Sequence, residues 1–124
     1  LSYLQRAAAD DAVRAVIVGS CVPGRFCAGL NLAAIHAEGP TKVRSLLDRL
    51  YIKMTDIQFA MGKPTIAAIG GTARGGGMTL AISCDMIVAS CTATFGYPEI
   101  DAGVSPSIHF THLPRIIGRH RACD

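Results

Sequence analysis

A chain of 124 residues, half of them hydrophobic and only 17% charged, has the size and apolarity of one packed domain and excludes a disordered segment. Its net charge of +3 comes with no Lys/Arg run and no aromatic set interleaved with basic residues, so no nucleic-acid partner is expected. No apolar run reaches transmembrane length and no signal peptide is visible, so no membrane partner is expected either.

Taken in order, Leu1 to Val13 carries Leu1, Leu4, Ala7, Ala8 and Ala12 near helical spacing. The chain opens inside this pattern without a Met and closes on Arg-His-Arg-Ala-Cys-Asp, which suggests a piece of a longer protein. Ala15 to Val18 reads as a short apolar strand, and Ser20 to Gly24 as a turn. Arg25 to Leu32 reads as a loop around Gly29 that leads into Ala33, Ala34 and Ile35. Glu38-Gly39-Pro40 is a break, with Thr41 placed to cap the next helix. That helix runs from Val43 to Met61, with Val43, Leu46, Leu47, Leu50, Met54 and Ile57 on one stripe, and Gly62-Lys63-Pro64 ends it.

Thr65 to Ile69 is a second strand. A turn follows through Gly70 and Gly71, then the triple glycine Gly75-Gly76-Gly77 and a small-residue helix to about Cys84. Met86 to Ser90 reads as a third strand of the buried kind. Asp101 to Ser107 is irregular, and Ile108 to Ile117 is a helical pattern that Pro114 should break. Strands alternating with helices across glycine turns predict an α/β protein with parallel strands and no internal linker. The five cysteines are odd in number and form no CxxC, which suits small interior residues in a reducing compartment.

Three features carry chemistry. A strand that passes through glycines into a helix offers backbone N–H groups at a positive helix end, suited to an anion or a developing oxyanion. The triple glycine is neither a dinucleotide fingerprint, since Leu80 stands where the last Gly would fall, nor a P-loop, since no GK[ST] follows. Cys27-Ala28-Gly29-Leu30 is a second glycine loop, and two such loops together provide what an oxyanion hole needs. Glu99 follows Pro98 in an otherwise uncharged stretch, a setting suited to a general acid or base. His109 and His112 have HxxH spacing, but no Glu follows His109 and no Cys pair is near, so no metal site is expected; His120 stands apart. Gly103-Val104-Ser105-Pro106-Ser107 lacks the closing glycine of a nucleophile elbow.

The set FCAGLNL, KPTIAAIGG, ARGGGMTLAISCDMIVAS and ATFGYPEIDAGVSP, in this order and spacing, resembles the enoyl-CoA hydratase/isomerase (crotonase) family over essentially the whole chain. The resemblance implies a ClpP/crotonase-like spiral of ββα units, with residues 1–124 forming the central part of a single domain and lacking its N-terminal strands and C-terminal helices. It implies an acyl-CoA substrate, no cofactor beyond the CoA moiety of that substrate, and assembly as a homo-trimer or hexamer. Cytoplasm or an organelle matrix would suit it equally. By motif position the thioester oxygen would lie between the N–H groups of Leu30 and Gly76. Arg25, Phe26, Ala28 and Gly29 would line the CoA site.

The family's hydratases use two glutamates around one water; here the first position is Thr79 and the second is Glu99. One carboxylate is enough to move a proton between carbons, so the resemblance favours a Δ3,Δ2-enoyl-CoA isomerase-like reaction. The alternatives are a hydratase or CoA lyase in which Thr79 helps hold water, and an inert or truncated member. Asn31 replaces a usual Asp, and Ser107 a frequent glycine, so the pocket suits another substrate. Asp101 and His109 are candidate partners for Glu99.

Overall fold

The computed structural model describes residues 1–31, 39–103 and 105–123, apart from the side chains of Pro40, Ala102, residues 107–109 and Cys123. The expected continuation at Ala33, Ala34 and Ile35 lies outside the described residues. The first helix, α1 (Ser2–Ala9), is shorter than its pattern and stops where Asp10 turns extended. Its last carbonyls have no partner inside the helix. Lys63 supplies one: its Nζ donates to the carbonyl oxygens of Ala7, Ala8 and Asp10 at 2.7, 3.0 and 2.7 Å, a cation at a negative helix end.

Six strands are present among the described residues. They are β1 (Val16–Val18), β2 (Arg25–Cys27), β3 (Thr65–Ile69), β4 (Thr72–Arg74), β5 (Met86–Ala89) and β6 (Phe95–Gly96). They form two three-stranded sheets, β1-β3-β5 and β2-β4-β6, and every pairing is parallel. Each turn of the chain therefore gives one strand to each sheet before its helix, which is the ββα spiral. The sequence reading found β1, β3 and β5 but took the Arg25–Cys27 stretch for loop and the Thr72–Arg74 stretch for part of a turn. These strands are two or three residues long, too short for an alternation to register.

The long helical pattern is α2 (Pro40–Leu47), a π-helical stretch (Asp48–Lys53) and α3 (Met54–Ala60). Thr41 is not its cap. Gly39, at φ +79°, holds the N-cap position and Pro40 the first turn, where a missing N–H costs nothing. Within the predicted stripe Leu47 is exposed, and the deeply buried side chain is Gln58, which accepts from Ser83 Oγ at 2.9 Å. The glycine turn then leads into α4 (Gly76–Ile82). Pro114 does not break its helix: α5 (Ser107–Ile117) runs through it, and the Pro114 carbonyl still accepts from Gly118 N–H at 3.0 Å. A last turn, α6 (Arg119–Cys123), follows.

The main core lies where the sheets meet α4, with Phe26, Ala67, Ile69, Ala73, Ala81 and Cys84. A second cluster of Met78, Ile82 and Leu113 ties α4 to α5, with Tyr97 against it. Two expectations fail on burial. β5 is exposed throughout, with Val88 at 65%, because it packs mainly against β3 and its faces are left uncovered by the described elements. Cys21 and Cys91 are also exposed, and only Cys84 among the described thiols is buried.

Asp85 joins β3 to the start of β5. Its Oδ2 accepts from Thr65 N–H and Oγ1–H, both at 2.7 Å, and its own N–H donates to Thr65 Oγ1 at 3.0 Å. These bonds, the side-chain one first, hold the Asp85 carboxyl below the ordinary Asp range. A depressed folded pKa means stability that is present above the unfolded value, near 3.9, and lost as pH falls through the folded value. Asp85→Asn is therefore expected to flatten the acid limb of a stability–pH curve below about pH 4. The carboxylate is solvent-facing, so the effect is small; identical acid limbs would contradict it.

Candidate active site

The two glycine loops meet. Gly29 has φ +91°, and a β-carbon there would stand 3.0 Å from both the Gly76 nitrogen and the Arg74 carbonyl oxygen. A β-carbon on Gly77 would run into the Cys27 carbonyl. Only bare backbone on both sides allows this approach. The approach sets Leu30, next to Gly29, beside Gly76: Leu30 Cγ is 3.7 Å from the position of a Gly76 β-carbon. Gly75, at φ +52°, turns the chain from β4 into α4, and its N–H donates to the Gly96 carbonyl at 3.0 Å. The first N–H groups of α4 have no partner inside the helix.

Glu99 arrives from the other side. A 3-10 turn (Pro98–Ala102) follows β6, with Pro at its start and Gly103 at φ +72° at its end. β6 pairs with β4, so this turn emerges beside the glycine turn. Glu99 Oε1 sits where a Gly75 side chain would be, and Oε2 is buried without a hydrogen-bond partner among the described residues. Thr79 is buried one turn into α4; its Oγ1 lies 3.4 Å from the Gly75 carbonyl.

Two tyrosines complete the cluster. Burial pushes the Tyr97 phenol well up, with the charge of Glu99 and the presence of Tyr51 adding to it. Burial, then the Glu99 charge, also raise Tyr51. The sequence reading missed both. Tyr97 neighbours the Glu99 motif, but nothing in the helical stripe around Tyr51 distinguishes it from a surface residue.

The structure thus brings together Leu30, Gly29, Gly76, Thr79 and Glu99. Phe26 is a core residue, so only its backbone can face a ligand, while Arg25 and Ala28 are exposed. Asp101 is exposed as well, and the side chains of His109 and Ser107 lie outside the described residues. Among the described residues no group of three or more His, Cys, Asp or Glu could hold a metal ion, and no helix is long and apolar enough to cross a membrane.

The model of the family described as enoyl-CoA hydratase/isomerase matches residues 1–124. The chain belongs to the enoyl-CoA hydratase/isomerase family. It is 38% identical over 111 residues to a probable mitochondrial enoyl-CoA hydratase 2 of Arabidopsis thaliana, covering 89% of this chain and 36% of that protein. It is 39% identical over 110 residues to the human mitochondrial methylglutaconyl-CoA hydratase, covering 88% of this chain and 32% of that one. The crystal structure of an enoyl-CoA hydratase from Bacillus anthracis superposes with a TM-score of 0.88 at 30% identity, over 98% of this chain and 47% of the other. This family member therefore spans between a third and a half of these relatives, and its two parallel sheets are part of the crotonase fold.

Proposed function

We propose that the protein acts on acyl-CoA thioesters, with Glu99 carrying a proton to and from the carbon next to the thioester and Leu30 and Gly76 holding the thioester oxygen. The carrying observation is the buried Glu99 Oε2, without a partner among the described residues, beside the glycine turn. A buried carboxylate oxygen left unbonded is costly, and an incoming C–H to deprotonate gives it a use. In the isomerase form of the reaction, Glu99 takes a proton from C2 of a 3-enoyl-CoA. The charge spreads onto the thioester oxygen, where two N–H donors stabilise it. The proton returns at C4, and the double bond moves from C3–C4 to C2–C3.

A second reading is hydration of a 2-enoyl-CoA with Thr79 helping to hold water. The buried hydroxyl of Thr79 near the Gly75 carbonyl supports it, as do relatives named as hydratases. The proposal extends to CoA binding along the backbone of Phe26, Ala28 and Gly29, with Arg25 toward the CoA phosphates, and to a homo-trimer or hexamer. Relatives named as mitochondrial favour an organelle matrix over a bacterial-type cytoplasm.

The test is product analysis with the whole protein on a 3-enoyl-CoA and a 2-enoyl-CoA. The isomerase form expects conversion of the 3-enoyl substrate and no 3-hydroxy product from the 2-enoyl one. Hydration of the 2-enoyl substrate without isomerisation moves the assignment to the second reading. Turnover of neither removes both readings for these substrates and leaves a specialised acyl-CoA substrate or an inert family member.

A further inference from the structure

Tyr51 has no part in the reaction as written above, yet it stands at the centre of the site. Its Oη lies 3.1 Å from the position of a Gly76 β-carbon, and Gly29 Cα lies 3.5 Å from the same point. The phenol is thus wedged where the two glycine loops meet. The π-helical stretch that carries it departs from regular helical phase, a local irregularity often found at functional sites. Thr55 Oγ1 steadies that stretch by donating to the Tyr51 carbonyl at 2.6 Å.

A hydrogen bond between Tyr51 and Thr79 favours the phenolate. Burial and the Glu99 charge, which outweigh it, keep the phenol protonated. A phenol that keeps its own proton can donate it in a hydrogen bond to a bound group.

We propose that Tyr51 is a third hydrogen-bond donor of the pocket, its O–H directed to the thioester oxygen as the enolate forms. This rests on the acyl-CoA reading. The proton stays on Tyr51 throughout; the bond strengthens as the oxygen gains charge, adding a side-chain donor to the two backbone ones.

The test follows a 3-oxoacyl-CoA, whose enolate absorbs in the near ultraviolet, together with turnover of an enoyl-CoA by the whole protein. Tyr51→Phe removes one oxygen. It is expected to lower kcat and the bound enolate fraction by about 10- to 100-fold, with KM within threefold and the unfolding midpoint unchanged. Wild-type turnover and enolate signal kept in Tyr51→Phe overturn the proposal, as does a loss that tracks a fallen unfolding midpoint. A wild type with neither turnover nor enolate signal overturns the acyl-CoA reading as well.

Discussion

Glu99→Gln is expected to cut enoyl-CoA turnover by about 10²- to 10⁴-fold, the usual span for a lost general acid–base group. The amide keeps the shape of the side chain, so the contact with Gly75 survives, but it cannot accept a proton from carbon. Binding of a saturated acyl-CoA should change little, because the donors proposed at Leu30 and Gly76 are untouched. A second readout is independent of turnover. The negative charge of Glu99 raises both Tyr51 and Tyr97, second only to burial. Removing it should move both phenols down in a spectrophotometric titration, while burial still holds them above an ordinary tyrosine. Turnover within tenfold of wild type would take Glu99 out of the proton path. Unmoved phenols would mean the carboxylate is not charged beside them.

The candidate site was legible in the sequence where chemistry rests on backbone. Gly29 and Gly75, at positive φ, and Gly77, against the Cys27 carbonyl, mark positions that a side chain would strain, and that constraint is written in residue identity. Glu99 was legible because it follows both Pro98 and an apolar strand, a setting that sets it apart from an ordinary surface carboxylate. Tyr51 was not. Its place depends on a π-helical stretch, and a single extra residue in a turn leaves no trace in a 3.6-residue pattern. The fold divides the same way. The parallel α/β class follows from the alternation of β1, β3 and β5 with helices. The second sheet does not, because β2, β4 and β6 draw their definition from pairing with each other. The burial expected of β5 fails because Met-Ile-Val-Ala is equally apolar whether its faces are covered or bare; only what packs on them decides. Pro114 was misjudged for a related reason: one lost hydrogen bond costs less than the packing of Leu113 against Met78 and Ile82 returns.

Gly77→Ala should be among the most damaging single methyl additions at the described glycines. Two effects oppose each other. Alanine is the better helix former, by about 1 kcal/mol. Its β-carbon, however, would overlap the Cys27 carbonyl oxygen and stand 2.7 Å from the Cys27 carbonyl carbon and β-carbon. These are mostly backbone atoms of β2, fixed by pairing with β4, and cannot rotate away. Overpacking of this kind costs about 1–3 kcal/mol and more where the backbone must move, so the overlap wins. The relief available is to push β2 away from α4, which also separates Leu30 from Gly76. Stability and turnover should therefore fall together, by roughly 2 kcal/mol or more in denaturant unfolding and by at least the 10²-fold expected when an oxyanion donor is displaced. Gly70→Ala is the matched control. Nothing stands within 4 Å of its β-carbon and its φ is not positive, so it should be neutral or stabilise by about 0.4–1 kcal/mol. If Gly77→Ala unfolds at the same denaturant concentration as Gly70→Ala, the two loops are not in the contact that builds the site.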